Sequence, residues 1–173
     1  MAAATAISVA APASAMITVF NATLNGASES PANSTTAIGL GLVTFDDVAQ
    51  TVLVNEVYFG LTGPATGGHI HCCTTTAGTG TAAILVPFPT FPASSFGNFD
   101  ATFTLSSATF AQLLAGAQAG KAYLNIHTAA FPGGEIRGFL VGAVPEPSTY
   151  AMMFAGLAAV GGVAVRRRRL AQV

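Results

Sequence analysis

The residues ITVFNATL at Ile17–Leu24 are mostly β-branched, aromatic or aliphatic, and the turn pair Asn25-Gly26 follows them. β-branched and aromatic residues favour strands, and Asn-Gly favours a tight turn, so this stretch predicts a strand that ends at a turn. Two similar runs, Ala37–Phe45 and Gln50–Phe59, flank Asp46-Asp47 and predict a hairpin. The first third of the chain therefore favours antiparallel β structure.

The rest of the domain continues this pattern of strands and turns. Further strands are predicted to end at His71 and to cover Thr81–Val86, Phe99–Leu105, Lys121–Thr128 and Glu135–Gly142. Pro87–Asn98 is predicted to be a loop, because its three prolines lack the N–H that a central strand needs. One helix is predicted to start after an N-cap at Ser107 and to end at Gly116. The pattern predicts an all-β fold, an antiparallel β-sandwich or barrel with one short helix.

Charge excludes one class of partner. Residues 16–143 have the length of one domain, which we expect to be the β-domain. This segment holds six acidic and two basic residues, a net charge near −4, and its basic residues are not clustered. Nucleic-acid phosphates require clustered Lys and Arg, so we expect no nucleic-acid partner.

Residues 1–15 (MAAATAISVAAPASA) are small and apolar and end in Ala13-Ser14-Ala15. An A-x-A ending before a change in composition is typical of a signal peptidase site. The basic region that should precede such a stretch is missing, since no Lys or Arg occurs before Lys121. We therefore expect a truncated signal peptide whose true start lies upstream. The alternative is an alanine-rich leader without an export role.

The C-terminal segment has three parts in order: a Pro-Glu-Pro motif, an apolar run and an arginine cluster. Ser148–Val165 contains eighteen residues without a charge, which as a helix would reach roughly 27 Å, close to the thickness of a bilayer core. The arginines that follow should stay on the cytoplasmic side, so the preceding domain should lie outside. Residues 148–165 are thus predicted to form a transmembrane helix, and residues 170–173 a short tail. The sorting motif comprises Val144, Pro145, Glu146, Pro147, Ser148, Arg166, Arg167, Arg168 and Arg169.

Residues 144–169 resemble the PEP-CTERM sorting signal of bacterial exported proteins. The resemblance implies export across the inner membrane and transient anchoring there. It also implies a partner, a membrane-embedded exosortase that cuts near Pro-Glu-Pro and delivers the protein to the cell surface or matrix. The alternative is an ordinary C-terminal anchor that is never processed.

The three histidines of the chain are the best candidates for a metal site. His69 and His71 share one face of a strand, because side chains alternate with period two. His127 could supply a third ligand, and Cys72, Cys73 or Glu135 a fourth, for a copper or zinc ion. The alternative is that the histidines are buried and donate to a carboxylate or a carbonyl, with no cofactor bound.

Cys72 and Cys73 are adjacent and are the only cysteines. Outside the cytoplasm a thiol pair should oxidise, which favours a disulfide between them, while two free thiols or metal ligands remain open. Glu135 and Arg137, two residues apart, are predicted to form a structural ion pair. The sequence contains no nucleophile elbow, P-loop or dinucleotide-binding motif, so we predict no catalytic residues and no enzyme activity.

Three blocks of the domain resemble the CHRD (chordin-like) domain: Phe20–Ala27, Gly60–His71 and Tyr123–Gly138. The hallmark positions of that family fall on His69, His71, His127, Gly134, Glu135, Arg137 and Gly138. Two departures are Phe139, where the family more often has a polar residue, and the cysteine pair after His71. The resemblance implies an all-β fold and extracellular placement, and it implies no catalytic activity.

Two hypotheses for function follow. The first is an exported, non-enzymatic cell-surface or matrix protein whose β-domain binds a protein or a polysaccharide. The alternative is an extracellular domain that binds copper or zinc through His69, His71 and His127, with redox activity as an option.

Overall fold

The structure is a computed structural model that describes residues 15–143. The predicted signal peptide (apart from Ala15), the sorting motif, the transmembrane helix at 148–165 and the tail at 170–173 all lie outside the described residues. Within residues 15–143, no helix is long and apolar enough to span a membrane.

Nine strands and one α-helix make up the described chain. In chain order they are β1 (Ile17–Asn25), β2 (Ile38–Asp46), β3 (Thr51–Phe59), β4 (Ala65–His71), β5 (Ile84–Pro87), β6 (Gly97–Thr104), α1 (Ser107–Gln118), β7 (Tyr123–Thr128), β8 (Ile136–Phe139) and β9 (Val141–Gly142). A single 3₁₀ turn, Gly26–Ser28, follows β1. The predicted all-β fold with one short helix is confirmed.

All the strands belong to one antiparallel sheet that curls into a half-barrel. Its order is β5-β4-β7-β8-β1-β2-β3-β6, and β9 pairs with β1. The first strand therefore lies in the middle of the sheet, between β2 and the strands that end the domain. The hairpin predicted at Asp46-Asp47 joins β2 to β3, and the Asp46 carboxylate accepts hydrogen bonds from the N–H groups of Val48 and Ala49 at 3.0 and 2.8 Å.

The apolar core fills the concave side of the sheet. Alternate residues of β1 and β3 point into it, including Phe20, Leu24, Val52 and Tyr58. The pattern changes in β7, where four successive residues, Tyr123–Ile126, are all buried. Both faces of the sheet are therefore covered at β7, one by the apolar core and the other by a layer of polar side chains.

The helix differs from its prediction at both ends. Ser106, not Ser107, is the N-cap, and its side chain accepts a hydrogen bond from the N–H of Thr109 at 3.2 Å. Gly116 does not end the helix but lies inside it, where a Cβ atom would collide with the sulfur atoms of Cys72 and Cys73. Glycine at this position thus allows close packing on the cysteine pair.

The last predicted strand, Glu135–Gly142, is interrupted. Leu140 turns inward, and its N–H donates to the carbonyl of Ala122 at 2.9 Å, which separates β8 from β9. Glu135 precedes β8, and its N–H donates to the carbonyl of Ile126 at 2.7 Å. The interruption buries Leu140, whose side chain is 1% exposed.

Candidate metal centre

The three histidines meet on the polar side of the sheet. His69 and His71 lie on β4, and His127 lies on the neighbouring β7 opposite Gly67. Their ring centroids are 5.0 Å apart for His69 and His127, 5.7 Å for His69 and His71, and 6.1 Å for His71 and His127. One ligand atom from each ring lies within 4.8 Å of the others. The strand pairing therefore brings together residues that are 58 positions apart in sequence (His69 and His127).

Backbone carbonyls orient two of the rings. Nδ1 of His71 lies 2.9 Å from the carbonyl oxygen of Ala82, and Nδ1 of His127 lies 3.0 Å from that of Pro132. Because a carbonyl oxygen only accepts, both Nδ1 atoms must carry the proton, which leaves a lone pair on each Nε2. A carbonyl bonded to the remote ring nitrogen is the usual support of a metal-binding histidine.

Three of the four other ring nitrogens are buried without a partner among the described residues. Nε2 of His71, Nε2 of His127 and Nδ1 of His69 are buried and make no hydrogen bond. Buried polar atoms in proteins are almost always paired, so a cluster with three unpaired nitrogens is unusual. In the predicted alternative, each histidine would bond a carbonyl or a carboxylate. Such bonds are present at Nδ1 of His71 and Nδ1 of His127, but at none of these three nitrogens.

The environment keeps His69 and His71 uncharged. Burial, with smaller contributions from the neighbouring His127 and His71, lowers the pKa of His69 to about 4. Burial also lowers the pKa of His71, against a smaller upward effect of its hydrogen bond to Ala82. Only a neutral imidazole has a free lone pair, so a lowered pKa keeps these two side chains competent to bind a metal ion at neutral pH.

Glu135, one of the candidates for a fourth ligand, is fully occupied. Its buried carboxylate accepts hydrogen bonds from the hydroxyls of Thr35, Thr62 and Thr128 at 2.7, 2.9 and 2.6 Å, and from the N–H of Thr62 at 2.9 Å. Burial by itself raises the pKa of Glu135, but the hydrogen bonds from the three threonines outweigh burial and lower it. Glu135 therefore ties two loops to β7 and remains ionised without a cation.

The predicted ion pair between Glu135 and Arg137 needs correction. Arg137 pairs instead with Glu29, with Nη2 and Nε at 2.8 and 2.9 Å from Oε2. Asn125 donates to the other oxygen of Glu29 at 2.6 Å. Because Glu135 precedes β8, the alternation that would place it beside Arg137 does not hold there. Glu29 was not predicted as the partner because it lies in a polar loop 108 residues from Arg137. The only sign of its role in the sequence was that it is an acidic residue with no predicted partner.

Tyr123 links this ion pair to the histidines. The guanidinium carbon of Arg137 lies 4.3 Å from the centroid of the Tyr123 ring. The His71 ring stacks on the same tyrosine with centroids 4.8 Å apart and planes 3° from parallel. The Tyr123 hydroxyl accepts a hydrogen bond at 3.2 Å from the N–H of Ala82, the residue whose carbonyl holds His71. Tyr123 and Ala82 together fix the orientation of the His71 ring.

The cysteines, the other candidates for a fourth ligand, are bonded to each other. Cys72 and Cys73 form a disulfide, and the peptide bond between them is cis. Cys72 belongs to the apolar core, whereas His71 faces the polar side of the sheet. Both sulfur atoms pack against Gly116 of α1. The described structure therefore brings together three histidines, without a cysteine or a carboxylate among them.

Comparison with known families accounts for nearly the whole chain. The model of the CHRD domain matches residues 20–140, and that of the PEP-CTERM protein-sorting motif matches residues 143–169. Neither the curated proteins nor the solved structures gave a match. Such sorting motifs mark proteins that are exported across the inner membrane and processed at the cell surface by an exosortase. With 121 of its 173 residues matched, this chain belongs to the CHRD-domain family and carries a PEP-CTERM sorting signal.

Proposed function

We propose that this protein is an exported surface or matrix protein whose CHRD domain binds one copper or zinc ion through His69, His71 and His127. The observation that carries the proposal is the convergence of three histidine rings, each of which has one buried nitrogen without a hydrogen-bond partner. One nitrogen of each ring already lies within 4.8 Å of the others, so a single metal ion could bind all three rings.

The donor set favours copper or zinc over other ions. Imidazole is a ligand of intermediate softness that suits Zn²⁺ and copper, whereas Mg²⁺ and Ca²⁺ require oxygen ligands. The cluster contains three imidazoles and no carboxylate. We assign the domain a binding function and no catalytic one, so the ion would be held rather than used in a reaction.

Display outside the cell is the second part of the proposal. The match of residues 143–169 to the sorting motif supports cleavage near Pro145–Pro147 by an exosortase, with release to the surface or matrix. Mass spectrometry of the exported protein tests this step. We expect a C-terminus close to the Pro-Glu-Pro motif, and an exported form that still ends at Val173 would contradict processing.

A second candidate function is the binding of a polysaccharide, in line with the first hypothesis from the sequence. The outer face of β2 and β3 exposes Leu40 and Val57 beside a groove of about 600 Å³ that Asn55 and Asp100 also line. Amide and carboxylate groups beside an aliphatic surface suit sugar hydroxyls and ring faces. Co-sedimentation with the host's purified matrix polysaccharide tests this function, which requires Asn55→Ala and Asp100→Ala to weaken binding.

Metal titration tests the main proposal. Purified full-length protein, stripped with a chelator, should bind one equivalent of Cu²⁺ or Zn²⁺ by calorimetry and elemental analysis. A variant with all three histidines replaced by alanine should bind none. Asp100→Asn, which changes an exposed carboxylate outside the cluster, is the matched control and should bind normally. Equal binding by the wild-type protein and the triple variant would refute the proposal.

A further inference from the structure

The described residues offer a metal ion three ligands and no fourth. No other histidine, cysteine, aspartate or glutamate within residues 15–143 joins the group of His69, His71 and His127. Two buried acids, Glu135 and Glu29, are committed elsewhere: Glu135 accepts four hydrogen bonds and Glu29 pairs with Arg137. The ion would therefore have an incomplete coordination sphere.

Two of the three ligand residues are not fully enclosed by the protein. His71 is buried, but His69 and His127 are only partly buried. Structural zinc sites are closed by four protein ligands, whereas sites with three protein ligands keep a position for water or another exchangeable ligand. The geometry thus resembles an exchangeable site more than a structural one.

Charge selects the kind of ligand that would enter. Three neutral imidazoles leave both positive charges of a divalent ion uncompensated, since no carboxylate or thiolate belongs to the cluster. Arg137, which packs on Tyr123 as His71 does, is itself positive and is neutralised by its own partner Glu29. A partly buried cation without an anionic ligand attracts an anion strongly, because its charge is poorly screened there.

We infer, on the basis of the proposed metal binding, that the fourth position of this site takes a small monodentate anion in exchange for water. In this exchange a lone pair of the anion forms the new bond to the metal, the water leaves with its own electron pair, and no electron is transferred. The ligand class is that of azide, cyanide or hydroxide.

Cobalt(II) substitution with azide as the probe tests this inference. The full-length protein is loaded with one equivalent of Co²⁺, whose visible spectrum reports its ligands, and azide is titrated in. We expect a saturable spectral change that fits one azide per bound metal. The triple histidine-to-alanine variant mixed with the same amount of Co²⁺ controls for azide complexes of free metal and should lack this change.

Elemental analysis of the same samples separates two failures. If one equivalent of metal is bound and azide leaves the spectrum unchanged, the fourth position is closed and the inference is wrong, while the proposed metal binding stands. If no metal is retained, the proposed function fails, and the inference fails with it.

Discussion

Two regions of the described structure contain buried side-chain atoms without a hydrogen-bond partner, and they differ in the number of residues that contribute these atoms. Three of these atoms are the ring nitrogens of His69, His71 and His127, and two are the carboxyl oxygens of Glu56 on β3. The nitrogens come from three residues whose rings each bring one nitrogen within 4.8 Å of the others, whereas the oxygens belong to one residue on the core side of the sheet. Unpaired buried atoms point to a ligand when several residues share the site, and not when one residue is isolated.

Burial favours the neutral form of both Glu56 and His69, with opposite consequences for metal binding. Burial raises the pKa of Glu56 to about 8 and lowers that of His69 to about 4. A neutral imidazole has the lone pair that a metal ion needs, whereas a protonated carboxyl group is a poor ligand. The same desolvation therefore keeps His69 in the form that binds a metal ion and keeps Glu56 in a form that binds one poorly.

The largest expected effect is on metal binding. Replacing any one of His69, His71 or His127 by alanine should lower metal affinity at least about 100-fold, more than the loss of a supporting residue usually costs. Glu56→Gln should leave affinity unchanged. Calorimetric titration of the four variants checks this. If a single histidine could be removed without loss, the three rings would not form one site.

The second prediction concerns stability and pH. Burial raises the pKa of Glu56 in the folded state to about 8 from its ordinary 4.5, so the folded state keeps a proton that the unfolded chain releases. Stability should therefore fall as pH rises through this window, by on the order of a few kcal/mol, and level off above it. Glu56→Gln cannot ionise and should lose this dependence in urea unfolding experiments.

The histidines supply an internal control for the pH experiment. The folded pKa of His69 lies below its ordinary 6.5, so the stability that it contributes is present above pH 6.5 and is lost as pH falls toward about 4. This acid-side loss should persist in Glu56→Gln. An unchanged alkaline-side slope in that variant would show that Glu56 is not the titrating group.

A third prediction compares Glu56 with Glu135, which is equally buried but has four donors. Glu135→Gln should lower the free energy of unfolding by about 2–4 kcal/mol, because an amide has a single acceptor oxygen and cannot accept all of these bonds, including the one from the buried Thr128 hydroxyl. Asp100→Asn, at an exposed carboxylate that accepts from Asn55 and Asn98, should change it by about 0.5 kcal/mol at most. Similar losses in both variants would contradict the role assigned to Glu135.

The smallest effect concerns the support of His71. Tyr123→Leu removes the stacked ring and should lower metal affinity about tenfold, as loss of a residue that orients a ligand typically does. Tyr58→Leu is the matched control, because Tyr58 is equally buried but stacks on Phe91, away from the cluster. Both variants should be less stable, and only Tyr123→Leu should bind metal more weakly. Equal affinities would limit Tyr123 to a structural role.

Local patterns predicted most of the fold. Strand β1 and the hairpin at Asp46-Asp47 follow from residue types that act over a few positions, and the structure has both. Strand alternation also predicted that the side chains of His69 and His71 lie on one face of their strand. The helix boundaries did not follow in this way: Ser106 caps α1 in place of the predicted Ser107, and the packing of Gly116 depends on Cys72 and Cys73, more than 40 positions away.

The polar layer could not be derived in the same way. The partner of Arg137 is Glu29, and the donors to Glu135 include Thr35 and Thr62, so each contact joins segments that are 73 to 108 residues apart. Such pairs depend on which strands become neighbours, and sequence periodicity carries no information about that. The sequence likewise could not predict that Glu56 has no hydrogen-bond partner. Alternation in β3 shows that Glu56 points inward, but it does not show which side chains lie opposite.

The strand order has a consequence for how the exported chain matures. β1 pairs on one side with β2, about twenty residues downstream, but on the other side with β8 and β9, more than 110 residues downstream. Long-range pairing of this kind is slow and has to wait for the late strands. The sheet therefore cannot close until the residues just before the sorting signal have been synthesised and delivered. Until then β1 lacks the strands that pair with one of its two edges. This would keep the chain unfolded, the state in which it can pass through a narrow membrane channel.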